Sequence, residues 1–401
     1  MSKLEELIQQ YCPDGVEYVK LGDIEDQGYI KLGRGNVISK QDMKDCPGGF
    51  PVYSSSSVGD GEIGRYGKYM FDDERISWSI DGGGKFFYRN NLRYSITNVS
   101  GWLKVLAPKV VSTKYLYYTL MNEWVKKVYD YTHKAHPSVI REEYIIPIPP
   151  LPVQKEIVRV LDTFTELQAE LQAELQKRLQ QYEYYRDNLI QKHCVGVEYK
   201  PLCELGTFYS GLTGKSKDDF SGGNAKFITY VNIFNHPSLE TDVEEKVKIA
   251  EGEKQNTVQY GDMLFTGSSE TPDECGMCSV LTHHTDEEMY LNSFCFGFRF
   301  NDLNDKSPDF MKHLFRSTDI RKKICKTANG VTRFNISKKE FAKIEIPLLP
   351  LDVQVKLAAI LDRFFTLTTD LTAGLPAEIE KRKQQYEYYR DKLLTFKRIT
   401  K

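Results

Sequence analysis

The 401-residue sequence predicts an α+β fold in which two globular domains are separated by a long antiparallel two-helix coiled coil, arranged as a circular pseudo-twofold repeat. Three observations predict it. A ten-residue block at 180–189 returns at 384–393 with nine identities, so one structural unit is used twice. Helical periodicity runs through both copies. The segments between the copies carry short strand-like runs separated by Gly-rich turns.

The repeat extends beyond this block and wraps around the ends of the chain. Segment 146–154 matches 346–354, and 15–18 matches 196–199. The N-terminus therefore completes a unit whose body lies at the C-terminus, and we expect the two ends to meet. The numbering offset between the copies rises from 200 to 204, so the second copy carries four extra residues.

These matches predict five segments. They are an N-terminal segment completing the repeat (1–18), a first globular domain (19–146), a central spacer helix (147–195), a second globular domain (196–346) and a C-terminal spacer helix (347–401).

Each spacer reads as a helix with a narrow apolar stripe. After Pro152 the chain reaches His193 without another proline or any glycine, which predicts a rod of about 60 Å. The stripe predicts one seam against the second copy, where Gly374 and Pro376 predict a break. The residues predicted at the coil or at interfaces with partner subunits are Gln154, Leu161, Leu167, Leu171, Leu175, Tyr182, Tyr185, Gln354, Leu361, Tyr386 and Tyr389.

The two globular segments share almost no sequence, yet both mix strands with a later helix. Strands are predicted at 226–234 and 293–300, and helices at 115–131 and 308–325. Segment 59–64 fits the dinucleotide-binding pattern GxGxxG, but Arg65-Tyr-Gly-Lys follows it where a helix should begin. Hairpin turns are the favoured interpretation.

Composition limits the function classes. The chain has no apolar run long enough to span a membrane and no apolar core of a signal peptide, so we expect a cytoplasmic protein without membrane contact. The eight cysteines are expected to be reduced thiols. Cys275-Gly-Met-Cys278 lacks a second such pair, so a loop is favoured over a zinc site and no metal is predicted. No HExxH or GxSxG motif is present, and no catalytic residue is predicted.

A net charge of −2 means that any DNA contact must come from local groups. Segment 316–326 carries five basic residues and could either contact phosphates or form a solvated helix face. Arg, Lys, Asn, Ser and Thr in turns can pair with base edges or phosphates, although each is also an ordinary turn residue. The predicted DNA-binding residues are Tyr53, Ser54, Ser55, Arg89, Asn90, Asn91, Arg93, Ser210, Lys215, Tyr230, Asn232, Thr266, Ser268, Ser269, Asn329 and Arg333.

The segments 146–154 and 346–354, which lead into the two spacer helices, share the pattern Ile-Pro-x-x-Pro-Leu-x-x-Gln, where x is any residue. With this pattern, its circular repeat and its two dissimilar globular segments, the chain resembles the specificity subunit of a Type I restriction-modification enzyme. The resemblance covers the whole chain. It implies that each insert is a target-recognition domain reading one half of a bipartite site in double-stranded DNA. It also implies that the helices dock two modification subunits, which bind S-adenosylmethionine and methylate adenine.

The same resemblance implies two restriction subunits, which are ATP-dependent translocases with nuclease domains. No cofactor is expected in this chain, and S-adenosylmethionine, ATP and Mg are expected on the partners. The sequence lacks the Asn/Asp-Pro-Pro-Tyr/Phe motif of the methylating subunit, which agrees with a noncatalytic role. Two alternatives stay open: a stand-alone sequence-specific DNA-binding protein, and a coiled-coil scaffold that binds only proteins.

Overall fold

The computed structural model describes residues 3–56, 59–130, 132–369 and 374–399. Residues 1–171 and 379–401 form one unit, called unit 1, and residues 172–378 form unit 2. The two termini of the chain therefore belong to the same unit. The five predicted segment boundaries stay a prediction.

Unit 1 begins with a short helix and contains most of its strands before residue 106. Its elements are α1 (Lys3–Tyr11), β1 (Tyr18–Lys20), α2 (Leu21–Asp26), β2 (Ile30–Arg34), α3 (Lys40–Asp45), β3 (Phe50–Tyr53), β4 (Glu62–Tyr66), β5 (Arg75–Ser79), β6 (Phe86–Arg89), β7 (Ser95–Ile96), β8 (Ser100–Val105), α4 (Thr113–Trp124), α5 (Pro137–Glu143), β9 (Ile145–Pro147) and the first part of α6 (Leu151–His193).

Two small sheets build the first domain. An antiparallel sheet has the strand order β2-β8-β5-β6, and a second has the order β4-β3-β7 with β3 and β7 parallel. On β5, Trp78 is buried and lies opposite Gly101. A Cβ at Gly101 would lie 2.2 Å from the Trp78 ring, so only glycine fits there. Segment 59–64 leads into β4, which pairs antiparallel with β3, so the GxGxxG match belongs to a hairpin.

Unit 2 begins with the second part of α6 and returns to helix after the second domain. Its further elements are β10 (Tyr199–Pro201), α7 (Leu202–Leu205), β11 (Gly206–Ser210), β12 (Ala225–Ile228), α8 (Tyr230–Asn235), β13 (Lys246–Val247), β14 (Met263–Thr266), β15 (Ser268–Ser269), β16 (Cys278–Val280), β17 (Met289–Leu291), β18 (Cys295–Phe300), α9 (Pro308–Leu314), α10 (Thr318–Cys325), β19 (Ala328–Gly330), β20 (Phe334–Ile336), α11 (Lys338–Phe341), β21 (Glu345–Pro347), α12 (Leu351–Thr369) and α13 (Leu375–Leu393), the last of which continues into unit 1.

The second domain repeats the sheet plan of the first. Its antiparallel sheet has the order β11-β18-β14-β16, and a three-stranded sheet, β13-β12-β17, again contains one parallel pair. A glycine again faces a large ring, because Gly297 on β18 lies opposite Tyr209 and a Cβ there would approach that ring to 2.0 Å. A third sheet, β15-β20-β19, is added. Two inserts without sequence similarity thus share one α+β framework.

Each proline-rich lead begins as the end of a short strand, β9 or β21. β1 pairs antiparallel with β9 and β10 pairs antiparallel with β21, in the same register, with Tyr18 opposite Pro147 and Tyr199 opposite Pro347. The repeated Gly-Val-Glu-Tyr segment thus supports the start of a spacer helix in each unit.

The ends of the chain meet within unit 1, as the circular repeat predicts. The Val16 N–H donates to the Lys397 carbonyl at 2.8 Å, and the Tyr18 hydroxyl lies 3.2 Å from the Phe396 carbonyl. The break predicted near Gly374 and Pro376 is also confirmed, because α12 ends at Thr369 and α13 begins at Leu375.

Three predicted elements are wrong in extent. The strand predicted at 226–234 ends at Ile228, because the Thr229 side chain accepts a hydrogen bond from the Asn232 N–H (3.2 Å) and starts α8. The helix predicted at 308–325 is split into α9 and α10 where the Ser317 hydroxyl donates to the Leu314 carbonyl (2.6 Å). The helix predicted at 115–131 ends at Trp124, and Tyr131 lies outside the described residues.

Across the described ranges, none of the helices combines the length and the apolar character that crossing a membrane requires.

Candidate nucleic-acid interface

A buried glutamine fastens α6 to the first domain. Gln154 is fully buried, and its Oε1 accepts from the Ser112 N–H at 2.9 Å. Its Nε2 donates to the carbonyls of Val110 (2.9 Å) and Pro149 (2.7 Å). All three bonds join the helix start to main chain, so Gln154 fixes how the helix leaves the globular part.

Gln354 makes the same three bonds in unit 2. Its Oε1 accepts from the Ser307 N–H (2.9 Å), and its Nε2 donates to the carbonyls of Asp305 (2.9 Å) and Leu349 (2.7 Å). The structure therefore places both glutamines at the junctions between helix and globular part.

In unit 1, aromatic rings from the two repeat copies form the seam. Phe164 on α6 stacks on Tyr389 with ring centroids 5.5 Å apart, and its ring meets that of Tyr386 at 6.4 Å. Leu161, one turn earlier, is fully buried in the core. Leu167 and Leu171 are half-buried.

Unit 2 repeats this seam with the equivalent residues exchanged. Tyr185 stacks on Phe364 at 5.8 Å, and Tyr182 packs against Phe365 at 5.6 Å. Leu361 is fully buried, as Leu161 is in unit 1. Leu175 is half-buried. Each unit thus pairs phenylalanine of one copy with tyrosines of the other, through Phe164 alone in unit 1 and through Phe364 and Phe365 in unit 2.

A carboxylate at the same repeat position anchors each spacer helix to a domain helix. In unit 1, Asp162 accepts from the Lys114 ammonium (2.8 Å) and the Tyr118 hydroxyl (2.6 Å). In unit 2, Asp362 accepts from Lys312 (2.8 Å) and His313 (2.7 Å). Burial alone would raise the pKa of Asp362, but the hydrogen bonds from these two side chains outweigh burial and lower it.

The His313 imidazole is held neutral. Because a carboxylate only accepts, Nε2 carries the hydrogen donated to Asp362, and Nδ1 accepts from the Tyr182 hydroxyl at 2.8 Å. Burial lowers the pKa of His313, and the nearby cations Lys312 and Arg186 add to the effect against the opposing carboxylate.

We expect acid to destabilise unit 2 through His313. Its folded pKa lies below its unfolded value, so the unfolded state binds the proton more readily and stability is lost as pH falls below about 6.5. One proton changes the free energy of unfolding by at most about 1.4 kcal/mol per pH unit. The lowered pKa of Asp362 acts in a separate window, below about pH 4.

Urea denaturation followed by far-UV circular dichroism at pH 7 and pH 5 measures this effect. His313→Gln should reduce the loss of stability between the two pH values, and His236→Gln, which changes a half-exposed histidine, should not. Equal pH dependence in the wild type and His313→Gln would contradict the assignment.

The predicted DNA-binding residues of the first domain fall into two groups. Tyr53 and Arg89 are buried, and the Arg89 guanidinium lies 3.5 Å from the Tyr53 ring centroid. Ser54 and Ser55 are half-buried, with hydroxyls 2.7 and 2.8 Å from those of Thr97 and Ser79. The side chains that reach solvent are Asn90, Asn91 and Arg93. Asn91 has φ of 58°, which marks a tight turn after β6.

Several predicted residues of the second domain are occupied internally. The Lys215 ammonium donates to Glu253 and to the Lys248 carbonyl, both at 2.6 Å. The hydrogen bond from Lys215, together with those from the Ala250 N–H and Gln255, lowers the pKa of Glu253 to about 2. Asn232 donates to the Glu240 carbonyl (2.8 Å). Thr266, fully buried, accepts from the Met277 N–H (2.9 Å), while Ser210 and Asn329 are exposed.

Four predicted residues come together around one cavity of about 500 Å³ in the second domain. We call it the second-domain cavity. It is lined by the predicted Tyr230, Ser268, Ser269 and Arg333 together with Val231, Phe234, Glu270, Glu274, Phe294 and Thr332. The last six were not predicted. The exposed apolar residues in that set are a signal that only the structure reveals.

Two arginines of the basic segment 316–326 donate hydrogen bonds to main-chain carbonyls of their own domain. Arg316 donates to the carbonyls of Cys278, Ile233 and Phe234, and burial lowers its pKa to about 10. Arg321 donates to the carbonyls of three residues between 273 and 276. Both guanidinium groups are occupied by these carbonyl oxygens, so neither offers a pair of unbonded N–H donors to a phosphate.

Among the described residues, no three His, Cys, Asp or Glu side chains lie close enough together to hold a metal ion. Cys275 and Cys278 are both buried thiols, and burial raises the pKa of Cys278 to about 12.

Comparison with known proteins identifies the class. A family model described as "Type I restriction modification DNA specificity domain" matches residues 13–181 and again residues 195–381. The two matches cover most of the chain, so it carries two DNA specificity domains. The chain therefore belongs to the family of Type I restriction-modification specificity subunits, as the resemblance predicts.

Named relatives support this. The chain is 28% identical over 385 residues to "Putative type I specificity subunit S.MpnORF507P" of Mycoplasma pneumoniae, covering 93% of this chain and 96% of the relative. It is 31% identical over 303 residues to "Type I restriction enzyme EcoR124I/EcoR124II specificity subunit" of Escherichia coli, covering 71% and 70%.

Solved structures agree on the fold. The S subunit of a Type I system from M. genitalium matches with a TM-score of 0.50 and 15% identity, covering 95% of this chain and 96% of that one. A chain from a study of complex assembly and conformational transition in the type I R-M system matches with a TM-score of 0.53 and 14% identity, covering 95% and 97%. The predicted fold class is confirmed.

Proposed function

We propose that this chain is the noncatalytic DNA-recognition subunit of a Type I restriction-modification complex. Each globular domain reads one half of a bipartite site in double-stranded DNA, and the spacer helices dock the modification subunits. The observation that carries the proposal is that two domains with the same framework of sheets and helix junctions present different exposed surfaces.

Both units share one frame, including the three hydrogen bonds of the buried glutamine at each junction. Gln154 and Gln354 make equivalent bonds to main chain, and both domains share the four-stranded order of their larger sheet. The surfaces differ, because the first domain presents the Asn90 and Arg93 turn while the second presents an aromatic cavity with Arg333. Two domain surfaces with different chemistry are suited to recognising the two different halves of an asymmetric DNA site.

Equivalent exposed tyrosines support two equivalent docking surfaces. Tyr184 is 66% exposed and Tyr388, at the same repeat position, is 63% exposed. Exposed tyrosine is enriched at protein interfaces, where its ring supplies contact area at little entropic cost. We infer two modification subunits, carrying S-adenosylmethionine and the adenine methylation chemistry. Two restriction subunits carrying ATP and Mg would complete the cleaving complex, which would act on DNA in the cytoplasm.

Exchange of one domain tests the modular reading. Replacing residues 20–145 with the equivalent insert of another family member is expected to change one half of the recognised site and leave the other half and the spacer unchanged. Long-read sequencing of methylated adenines, in cells that also express the modification subunit, measures the site.

A matched exchange of residues 200–345 should change the other half only. If either exchange alters both halves, the domains do not read independently and the proposal fails. Co-purification of a modification subunit with a tagged chain separates the proposal from a stand-alone DNA-binding protein, and retention of genomic fragments separates it from a scaffold that binds only proteins.

A further inference from the structure

The second-domain cavity holds an arginine in a fixed position. Arg333 Nε and Nη2 lie 3.2 and 3.1 Å from the Ser268 hydroxyl oxygen, which accepts from them, and its Cζ lies 5.7 Å from the Phe294 ring centroid. Its Nη1 donates to no other group in the described ranges. A guanidinium held in this way is oriented before any ligand arrives, which lowers the entropic cost of binding.

Two carboxylates line the same cavity. Glu274 accepts from the hydroxyls of Ser269 (3.1 Å) and Thr271 (2.9 Å), so it is engaged by the protein. Glu270 is exposed and forms neither a hydrogen bond nor an ion pair with any residue that the structure describes. Ser268 and Ser269 are consecutive in β15, so neighbouring residues of one strand hold Arg333 and Glu274.

The surroundings of these groups are apolar and open. Phe294 and Val231 are both 61% exposed, and nearby Val331 is 91% exposed. Tyr230 and Phe234 stack at 6.1 Å on the wall of the cavity. Large apolar side chains grouped at an open surface are typical of a binding site.

Charge decides which part of DNA this cavity fits. The lining carries one arginine and two glutamates, so phosphates would be repelled and base edges with amino groups would be favoured. A guanidinium pairs with two adjacent acceptors, which guanine offers as O6 and N7. A carboxylate pairs with an exocyclic amine, which cytosine offers as N4. A single G·C pair presents both in the major groove.

Building on the proposed function, we infer that the second-domain cavity reads one G·C base pair through its major-groove edge. Arg333 donates to guanine O6 and N7, and Glu270 accepts from cytosine N4. Ser268 and Phe294 are positioning residues for the Arg333 guanidinium, and the exposed apolar residues cover the neighbouring bases.

The test uses the full chain with its modification subunit in cells that carry a plasmid library with every base of the recognised site varied. Long-read sequencing gives the methylated fraction for each variant site. Arg333→Ala and Glu270→Ala are each expected to reduce the preference at one G·C position by about 5- to 100-fold, at the same position in the half read by the second domain. Glu251→Ala, an exposed carboxylate outside the cavity lining, should leave every preference unchanged.

Arg333→Lys separates a base contact from a phosphate contact. A lysine keeps the charge but loses the two-pronged donor, so it should relax the G·C position as alanine does. The inference is overturned if Arg333→Lys restores full preference, if Arg333→Ala lowers methylation evenly across all sites, if the two alanine variants relax different positions, or if neither relaxes any. Continued methylation of the original site shows that the variants fold.

Failure of the proposed function would look different. In that case, removing the gene for this chain would leave adenine methylation unchanged, whatever the cavity variants do.

Discussion

Deleting residues 168–171 is expected to shorten the spacer of the recognised DNA site by about two base pairs and leave both half-sites unchanged. α6 is one helix of 43 residues, and it passes from unit 1 to unit 2 after Leu171. Four residues of helix span about 6 Å, close to two base pairs at 3.4 Å each. The deletion removes one of two identical Gln-Ala-Glu-Leu units, so the remaining helix keeps the same composition.

The original site should be lost as a substrate. If each domain reads one half-site, as proposed, a displaced domain loses its base contacts. Each mismatched base pair costs about 1–3 kcal/mol, so methylation at the original spacing should fall by at least about 100-fold. Long-read sequencing of methylated adenines reports both spacings in one experiment.

Two matched variants make the result decisive. Inserting a third Gln-Ala-Glu-Leu unit after residue 175 should lengthen the spacer by about two base pairs. Replacing Gln168 with Ala keeps the length and should keep the site. If the deletion variant still methylates the original site, α6 does not set the spacing.

The spacer helices were predicted well because their signal is local. The apolar period between Pro152 and His193 repeats every three or four residues, and α6 spans Leu151–His193 as that period predicts. The break follows from Gly374, which disfavours helix, and from Pro376, which fits only the first turn of a helix. The meeting of the two ends followed from the sequence repeat alone.

The domain elements were predicted less well, because competing signals lie close together. Segment 226–234 is rich in strand-forming residues, yet one hydrogen bond from the Asn232 N–H to Thr229 turns its second half into a helix. Burial is equally hidden from a single sequence. Arg89 and Arg316 are typical DNA-contacting residues by type, but both donate to groups inside their own domains.

The cavity could not be predicted, because it depends on tertiary contacts. Glu270 and Phe294 lie far apart in sequence from Arg333, and a loop sequence does not reveal which side chains share a surface. The polar turn residues predicted from type included Arg333 and Ser268, but their hydrogen bond was not predictable. Whether any of these residues contacts DNA stays a prediction.

Removing the buried glutamines is expected to cost the most stability of any single change considered. Gln154 and Gln354 are 0% and 1% exposed, and each satisfies three main-chain groups. Leaving a buried polar group without a partner costs about 1–3 kcal/mol, so Gln154→Met or Gln354→Met should lower the free energy of unfolding by about 3–5 kcal/mol. Methionine keeps a similar volume, so little of this loss comes from a cavity.

Glutamate at either position should be at least as costly at neutral pH. One carboxylate oxygen can still accept from the serine N–H. The other would lie against two carbonyl oxygens, to which the glutamine Nε2 donates hydrogen bonds in the native protein. Lowering the pH should recover part of the loss in Gln154→Glu, because a protonated carboxyl can donate one hydrogen bond, whereas Gln154→Met should show no such recovery.

The three tryptophans allow the unit affected to be identified. Trp78, Trp102 and Trp124 all belong to unit 1, so tryptophan fluorescence follows its unfolding in urea. Gln154→Met should shift that transition, whereas Gln354→Met should shift the far-UV circular dichroism transition, which reports both units, more than the tryptophan transition. Gln172→Met, at an exposed position of α6, should change stability by less than about 0.5 kcal/mol. A loss below about 1 kcal/mol in both buried variants would show that water replaces the glutamine bonds, and that the junctions do not fix the helices to their domains.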